Sequence, residues 1–298
     1  MVLGIDLGNY TTETSEGIMF PSRIVAGHKE LNKNDIKIEF NGKKYTVGTG
    51  RLEIGPNRLN SDFYTILLLT AIAESKPERA SIKTDIVVGL PPLQFESELK
   101  TELKERLNKL RTKEIIINGR KVLITIDRAE VFSESAIVFG EPEKYRDKKT
   151  LVIDIGGGSE DISQFKGLQL VKNTTTKFGM LTLCENMKQV FVPTEKAPDY
   201  TVDMMEDLIN KDTEIVGGIP RDITYLRDVV ADHVQEICNV INQNFDTQST
   251  QIVLIGGGAV KLFEYFKKEY DRNVYVEKDN MFVNARTYAA VGEMLWND

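Results

Sequence analysis

The chain has 298 residues, enough for one large domain or for two lobes that each bury a sizeable core. Its composition is that of a globular protein, with 41% hydrophobic and 28% charged residues. The formal net charge of −7 and the sequence pI near 5.2 argue against broad, direct binding of a nucleic-acid backbone, which needs a basic face.

The cysteines and the N-terminal sequence both favour a cytoplasmic protein. Cys184 and Cys238 lie far apart without metal-ligand spacing, which predicts buried thiols in a reducing compartment. The first residues, MVLGIDLGNY, predict a strand and a turn and lack the basic segment and cleavage site of a signal peptide. No apolar run approaches the roughly 18–20 residues that span a membrane. We therefore expect a cytoplasmic protein with no membrane partner.

The predicted elements alternate between short β-rich runs and amphipathic helices, which is typical of an α/β fold. In chain order they are strand 2–6, helix 62–75, strand 85–91, helix 94–111, strand 150–155, helix 222–245 and strand 251–256. The strands are continuously apolar, as strands buried on both faces should be. Asp62 is a possible cap of the first helix, which has an apolar face at Phe63, Ile66, Leu67 and Thr70.

Two segments predict β-hairpins instead. In KIEFNGKKYTVG, residues 37–48, the turn Asn41-Gly42 separates two alternating runs. In KEIIINGRKVLITI, residues 113–126, the pair Asn118-Gly119 does the same. Asn-Gly between alternating runs is a strong short-range hairpin signal, because both residues tolerate positive φ.

The two histidines do not predict a metal centre. His233 lies on the apolar face of helix 222–245, which indicates a packed core residue rather than a ligand. His28 lies in a polar loop far from it in sequence, so a two-histidine metal site is not expected.

The chain contains an internal repeat. LGIDLGNYTTETS, residues 3–15, and LVIDIGGGSEDIS, residues 151–163, share two apolar residues followed by Ile, Asp, an apolar residue and Gly. The copies lie about half the chain apart, which predicts two lobes of similar core architecture, each beginning its own sheet.

Glycine-bearing turns follow three of the buried strands, at 6–9, 154–159 and 256–259. Glycine permits positive φ and has no Cβ, so successive N–H groups can converge on an anion. The third turn leads into a predicted helix, whose positive end favours a phosphate or a polar ribose edge. Neither a Walker-A sequence nor a G-x-G-x-x-G with its ribose acid is present, so the turns predict a different kind of phosphate site.

Asp6 and Asp154 occupy the same position in the two repeats, at the end of a buried strand. Carboxylates beside a polyphosphate would repel it unless a hydrated Mg²⁺ lies between them. The alternative is that each aspartate caps a turn, which explains either residue singly but not the repeated spacing.

These three turns resemble the phosphate-1, phosphate-2 and adenosine motifs of the actin, sugar-kinase and heat-shock-chaperone ATPase superfamily. Further stretches resemble bacterial and archaeal actin-like proteins of the ParM/Alp type: IMFPSRI at 18–24, YTVG at 45–48, TILLLTAIA at 65–73 and DIVVGLPPLQFES at 85–97. The resemblance covers nearly the whole chain. It implies a two-lobed α/β actin-like ATPase fold, with duplicated sheet-and-helix core domains around a nucleotide cleft.

The resemblance also implies where the lobes lie. Lobe I is expected at 1–133 with 284–298 and lobe II at 134–283, with small subdomains at about 18–60 and 184–222. FSESAIVFG, residues 132–140, resembles the first connecting helix between lobes, and NARTYAAVGEML, residues 284–295, resembles the second.

Carried over to this chain, the resemblance implies a full set of site residues. Glu134 matches the acidic residue that polarises the attacking water, with Asp154 as its catalytic partner, and Asp6 and Asp154 would hold Mg²⁺ through water. The nucleotide-binding residues are expected to be Gly8, Asn9, Tyr10 and Thr11 in the first turn, Gly156, Gly157, Gly158 and Ser159 in the second, and Gly256, Gly257, Gly258 and Ala259 around adenosine.

One residue departs from the family pattern. Many actin-like proteins have a lysine on the second arm of the first phosphate hairpin, where this chain has Glu13. A glutamate carboxylate cannot donate to a phosphate. Either another cation substitutes, or Mg²⁺ neutralises more of the charge, or hydrolysis is slow.

The function that the resemblance implies is an ATPase that binds Mg²⁺ and ATP (or GTP), assembles with itself into filaments and segregates plasmids. A DNA-binding adaptor protein is the expected partner, and the acidic net charge agrees with an adaptor rather than direct contact with DNA. A small-molecule kinase of the same superfamily is the alternative, although no sugar motif or large substrate insertion is evident. A chaperone-type or membrane-tethered ATPase is a third hypothesis.

Overall fold

The computed structural model describes residues 2–29, 32–53, 55–191 and 200–296. The strands are β1 Val2–Leu7, β2 Thr11–Thr14, β3 Met19–Pro21, β4 Ile24–Ala26, β5 Ile36–Phe40, β6 Lys43–Val47, β7 Ser81–Leu90, β8 Thr112–Ile117, β9 Arg120–Ser133, β10 Lys149–Ile155, β11 Glu160–Lys166, β12 Gln169–Thr176, β13 Thr213–Val216, β14 Ile219–Asp222, β15 Gln251–Ile255 and β16 Val274–Val276. The helices are α1 Asp62–Glu74, α2 Pro92–Phe95, α3 Leu99–Leu110, α4 Pro142–Tyr145, α5 Met180–Val190, α6 Val202–Glu206, α7 Leu226–Asn244, α8 Ala259–Tyr270 and α9 Val283–Trp296.

The chain divides into two compact units, and the first is discontinuous in sequence. Unit 1 consists of Met1–Arg146 with Met281–Asp298, and unit 2 consists of Asp147–Asn280. The resemblance places the lobe boundaries at 133/134 and 283/284, whereas the compact units meet at 146/147 and 280/281. The lobe boundaries and the small subdomains remain predictions. Residues 30, 31 and 54 of one expected subdomain and 192–199 of the other lie outside the described residues.

Unit 1 is built on a mixed sheet with helices on both faces. Its strand order is β3-β2-β1-β7-β9-β8-β5-β6-β4, with β1 parallel to β7 and β7 parallel to β9. Because side chains alternate along a strand, Leu3 and Ile5 of β1 pack into the core that contains α1, whereas Val2 packs with Tyr288 of α9. The central strands are buried on both faces, as their continuously apolar sequences predict.

Unit 2 is built on a five-stranded sheet with the order β12-β11-β10-β15-β16, in which β10 and β15 are parallel. Apolar residues of β10 and β15 pack with residues of α5, α7 and α8 in one core. A separate two-stranded hairpin, β13-β14, completes the described strands of this unit.

The internal repeat predicted from the sequence corresponds to a repeated arrangement of strands. β1 pairs with β2 in the register Asp6↔Glu13, and β10 pairs with β11 in the equivalent register Asp154↔Asp161. In each unit the first strand of the hairpin also has a parallel neighbour, β7 or β15. The strand ends that carry Asp6 and Asp154 are therefore built in the same way.

Both Asn-Gly hairpins are confirmed. Asn41 and Gly42 have φ values of 49° and 72°, and Asn118 and Gly119 have 48° and 80°. Two consecutive residues with positive φ are the requirement of the type I′ turn, whose twist matches that of the flanking strands.

Three helix predictions need correction. The predicted helix 94–111 is two helices, α2 and α3, separated at 96–98. The cap of α1 is Ser61, whose hydroxyl accepts from the Tyr64 N–H, and not Asp62; this helix is buried on all sides from Phe63 to Ala73 instead of on one face. Residues 132–140 form no α-helix: β9 continues to Ser133, and Ser135 has φ 58°, which an α-helix excludes.

Helix α9 packs directly on the backbone of β1 through a glycine. A Cβ added at Gly4 would collide with the carbonyl oxygen of Ala285 and would lie 2.7 Å from the Ala289 nitrogen. Backbone atoms of a packed helix cannot rotate away as a flexible side chain can.

We predict that Gly4→Ala destabilises unit 1 by about 1–3 kcal/mol or more, because overpacking forces α9 away from the sheet. Thermal unfolding followed by circular dichroism should show a melting temperature several degrees below that of the wild type. An unchanged melting temperature would contradict the close packing of α9 on β1.

Candidate functional site

The first glycine turn lies in unit 1 between β1 and β2. Gly8, Asn9 and Tyr10 form the turn, and Thr11 is the first residue of β2. A Cβ at Gly8 would lie 2.7 Å from the Thr11 carbonyl oxygen, so the two sides of the turn are too close for any larger residue. The four residues predicted to bind phosphate thus share one tight bend.

Asp6, one residue before the end of β1, is tied to helix α9. The Asn284 side chain donates from Nδ2 to Asp6 Oδ2 at 3.1 Å, and its Oδ1 accepts from the Ser135 N–H at 3.2 Å. Burial raises the pKa of Asp6 to about 6, while the hydrogen bond from Asn284 and the charge of Arg58 lower it. Asn284 therefore joins the first phosphate strand to the segment that contains Glu134.

Glu134 immediately follows β9, and its backbone N–H donates to the Leu90 carbonyl at 2.8 Å. Its side chain is half-buried, and its charge acts on Arg58, as does the charge of Asp6. Unit 1 therefore brings together three of the predicted features: the first turn, the Asp6 carboxylate and Glu134.

Arg58 and Asn284 are part of this arrangement and were not predicted from the sequence. The Arg58 side chain is almost completely buried, with 6% exposure, and its Nη1 and Nη2 donate to the carbonyls of Leu7 and Gly8, both at 2.8 Å. Its guanidinium also lies near the rings of Phe63 and Tyr64. No local motif marks either residue, since each acts on β1 from a distant part of the chain.

Glu13 faces the same side of the hairpin as Asp6, because the two are paired directly across the strands. It is a buried residue. The departure from the family lysine thus places a second carboxyl group beside Asp6, within the unit that contains the buried cation Arg58.

The second glycine turn lies in unit 2, between β10 and β11. The Gly156 N–H donates to the Ser159 carbonyl at 3.0 Å and closes the turn. The first two amides of α5, those of Met180 and Leu181, donate to the carbonyls of Gly156 and Gly157 at 3.0 and 2.9 Å. The turn is therefore held by the N-terminal end of α5.

The third turn is packed against the second within the same unit. Gly256 follows β15 with φ 83°, and its carbonyl accepts from Asn280 Nδ2 at 2.6 Å. The Gly258 N–H donates to the Ile155 carbonyl at 3.0 Å, and a Cβ at Gly258 would lie 2.6 Å from Met180 Sδ. Unit 2 thus brings the predicted phosphate turn, Gly156 to Ser159, together with the predicted adenosine turn, Gly256 to Ala259.

Asp154 lies beside this pair of turns. The residue is 8% exposed, and a Cβ at Gly256 would collide with its Oδ1. Asp161, its partner across the hairpin, accepts from Thr175 Oγ1 at 2.5 Å. The close approach explains why a glycine is needed at 256: a larger residue would displace the carboxylate.

Glu160 is a buried acid that the sequence did not single out. It has no exposed surface; Thr176 Oγ1 donates to its Oε2 at 3.2 Å, and its Oε1 has no hydrogen-bond partner among the described residues. Burial raises the pKa of Glu160 well above its ordinary value, and the nearby charges of Asp161 and Asp154 raise it further, against the hydrogen bond from Thr176.

His233 is the buried core residue that its position on the apolar face of α7 predicts. His233 is 3% exposed, and its Nε2 lies 3.0 Å from the Phe178 carbonyl, which makes that nitrogen the protonated donor. Burial lowers the pKa of His233. Among the residues that the structure describes, no group of three or more His, Cys, Asp or Glu side chains is placed to hold a metal ion. None of the helices in the described ranges combines the length and apolarity needed to cross a bilayer.

Comparison with known proteins places these features in context. Residues 4–136 match the family model for the actin like proteins N terminal domain. The crystal structure of Ta0583, an archaeal actin homolog, matches with a TM-score of 0.84 at 18% identity, over 99% of each chain. The complex of Ta0583 with ADP matches with a TM-score of 0.81 at 18% identity, over 98% of this chain and 99% of that chain.

A 15-stranded ParM filament from Clostridium botulinum matches with a TM-score of 0.78 at 20% identity, over 98% of this chain and 99% of that chain. None of the curated proteins in the comparison matches the sequence. The α/β actin-like fold predicted from the sequence is confirmed, and so is the resemblance to ParM/Alp-type proteins from which it came.

We predict that Glu160→Gln stabilises unit 2 at neutral and alkaline pH. A carboxyl group whose pKa is raised by folding makes the folded state less stable as pH rises above the ordinary value of 4.5, because ionisation is harder in the folded state than in the unfolded chain. The amide keeps the shape and cannot ionise.

The melting temperatures of Glu160→Gln and wild type, measured from pH 5 to pH 8, should diverge in favour of the variant as pH rises. Glu264→Gln, which removes an exposed carboxylate from α8 of the same unit, serves as the control and should follow the wild type. Parallel curves for Glu160→Gln and wild type would show that Glu160 ionises normally.

Proposed function

We propose that this protein is a nucleotide-dependent, filament-forming ATPase, because residues 4–136 match the family model for the actin like proteins N terminal domain and the chain has an actin-like fold. The observation that carries the proposal is the repeated hairpin, with Asp6 and Asp154 at equivalent strand ends and a glycine turn after each. Because the same arrangement occurs twice, a shared ligand with several phosphates explains it better than two independent structural turns.

The nucleotide is ATP or GTP, with phosphates bound by backbone N–H groups of both turns. Converging amides bind anions without a cationic side chain. At Gly8 and Gly156 a backbone carbonyl lies so close that a Cβ would crowd against it, so both positions leave the backbone free of side-chain atoms. The adenosine part is assigned to Gly256–Ala259, at the N-terminal end of α8. The complex of the archaeal neighbour with ADP supports a nucleotide ligand on this fold.

The residues present fit a Mg²⁺ ion that arrives with the phosphates. Mg²⁺ keeps several of its waters and is usually bound by one or two carboxylates plus the substrate, so a cluster of protein ligands is not required. We assign the carboxylates of Asp6 and Asp154 to hold the waters of the ion. When bound, the ion neutralises phosphate charge in the reaction.

For hydrolysis we assign Glu134 as the carboxylate that polarises the attacking water, with Asp154 as its partner. The Asn284 side chain binds both the Ser135 N–H and the Asp6 carboxylate, so it links the segment that contains Glu134 to the first phosphate strand. Phosphoryl transfer depends mainly on positioning and charge stabilisation, and an anchored carboxylate meets the first requirement.

Self-association is the expected partner interaction. The filament structure of the ParM neighbour supports it, and the acidic net charge favours an adaptor protein as the link to DNA. Within this proposal the protein acts in plasmid segregation in the cytoplasm, and assembly favours the hydrolysing conformation of the subunit, which couples the two processes.

We predict that the protein sediments as polymer with Mg²⁺-ATP at tens of micromolar and less so with ADP or without nucleotide. Light scattering and pelleting under the three conditions measure this directly. Phosphate release without any sedimentable species would favour a small-molecule kinase or another ATPase of the superfamily, and the absence of pellet with either nucleotide would refute filament formation.

We predict that Glu134→Gln lowers phosphate release by about 10²–10⁴-fold, the usual contribution of a positioned acid–base group, and leaves ATP affinity within a few-fold of wild type. Malachite-green phosphate release and calorimetric titration with ATP separate the two effects. Glu143→Gln, which removes an exposed carboxylate of the same unit, should leave both unchanged. Normal turnover in Glu134→Gln would remove Glu134 from its proposed role.

A further inference from the structure

Arg58 contacts the first turn in an unusual way: its charged group lies under the turn and binds only backbone oxygens there. Nη1 donates to Leu7 O and Nη2 to Gly8 O, so the planar guanidinium bridges two consecutive peptide groups. Its side chain is 6% exposed, with Phe63 and Tyr64 rings 5.9 and 5.8 Å from its central carbon. The two hydrogen bonds and the two ring contacts together fix the orientation of the guanidinium plane.

A hydrogen bond that fixes the direction of a backbone carbonyl also fixes the direction of the next residue's N–H. A trans peptide group is planar, and its C=O and the N–H of the following residue point in opposite directions. When Arg58 fixes the Leu7 carbonyl, it sets the direction of the Gly8 N–H. When it fixes the Gly8 carbonyl, it sets the direction of the Asn9 N–H, which then points away from the guanidinium.

The second hairpin has donors at the same two positions. By the register of the hairpins, Ile155 and Gly156 correspond to Leu7 and Gly8. The Ile155 carbonyl accepts from the Gly258 N–H, and the Gly156 carbonyl accepts from the Met180 N–H, both at 3.0 Å. In unit 2, two backbone amides therefore bind the pair of carbonyls that is equivalent to the pair bound by the Arg58 side chain in unit 1.

We propose that Arg58 is the positioning residue of the first phosphate turn, and that its forked contact with the Leu7 and Gly8 carbonyls directs the Gly8 and Asn9 amides as the phosphate site requires. The inference rests on the proposed nucleotide binding. Arg58 does not touch the phosphates in this role; it acts through the backbone.

Ser22 supports the same orientation. Its hydroxyl also donates to the Gly8 carbonyl, at 2.8 Å, and its N–H donates to the Tyr10 carbonyl at 2.8 Å. Ser22, directly after β3, and Arg58 therefore bind the Gly8 carbonyl together, and Ser22 also binds the Tyr10 carbonyl.

Arg106 provides a matched control in the same unit. Its guanidinium also donates to two backbone carbonyls, those of Leu59 and Ser61, and also lies near the Tyr64 ring, at 5.6 Å. These two carbonyls lie between Arg58 and the first residue of α1, and not in the phosphate turn. Arg→Lys at either position keeps the charge and loses the planar fork.

The test measures ATP affinity by calorimetry in the presence of Mg²⁺, together with the melting temperature, for the full-length wild type, Arg58→Lys and Arg106→Lys. Both variants should melt at lower temperature. Only Arg58→Lys should bind ATP more weakly, by about tenfold or more, the size expected for losing one hydrogen bond to a charged group. The split between affinity and melting temperature separates positioning from general stability.

The outcomes distinguish the two proposals. If the wild type binds ATP and Arg58→Lys binds it equally well, or if both variants lose affinity to the same extent, the role of Arg58 is refuted while the proposed function stands. If the wild type does not bind ATP, both fail. If Arg58→Lys does not fold, Ser22→Ala decides. A loss of ATP affinity of about threefold or more, the size expected for losing one neutral hydrogen bond, supports the positioning of the Gly8 carbonyl, and no loss refutes it.

Discussion

The orientation of peptide groups in the two glycine turns is the constraint on which the candidate site depends. A glycine turn can adopt many conformations, and only a few direct its amides at one anion. Here the carbonyls are bound on the protein side, by Arg58 in unit 1 and by the amides of Met180 and Gly258 in unit 2. The cost of ordering these flexible turns is thereby met during folding rather than when a ligand binds.

The parts of this arrangement that could be predicted are those written in neighbouring residues. Strand–Asp–Gly repeats, Asn-Gly hairpins and apolar strands each have a local pattern, and these patterns predict the α/β class, the two hairpins and the repeated strand ends. The actin-like fold itself was implied by the resemblance of these motifs to those of a known family. The pairing of Asp6 with Glu13 and of Asp154 with Asp161 is a consequence of equal turn lengths in the two repeats.

The remaining parts depend on contacts between distant segments. Arg58 reaches β1 from a short helical turn before α1, and Asn284 reaches it from the end of the chain, so no spacing rule reveals either. The helix expected at 132–140 from the resemblance is wrong, because Ser135 has positive φ and Gly140 lies against Thr287 of α9. No local pattern marks Glu160 as buried, and only the position of its strand in the sheet shows that it is.

The packing of α9 on β1 has a consequence for how the protein is made. The backbone of this last helix covers Gly4, and its Tyr288 packs on Val2 and Val87, yet the helix follows the whole of unit 2 in the sequence. During translation, therefore, one face of the first sheet waits uncovered while the second unit, which is continuous in sequence, is synthesised and can fold. Synthesis of unit 1 begins first but ends last, after unit 2 is complete. Until α9 is made, the apolar face of the first sheet that α9 will cover stays exposed in the nascent chain.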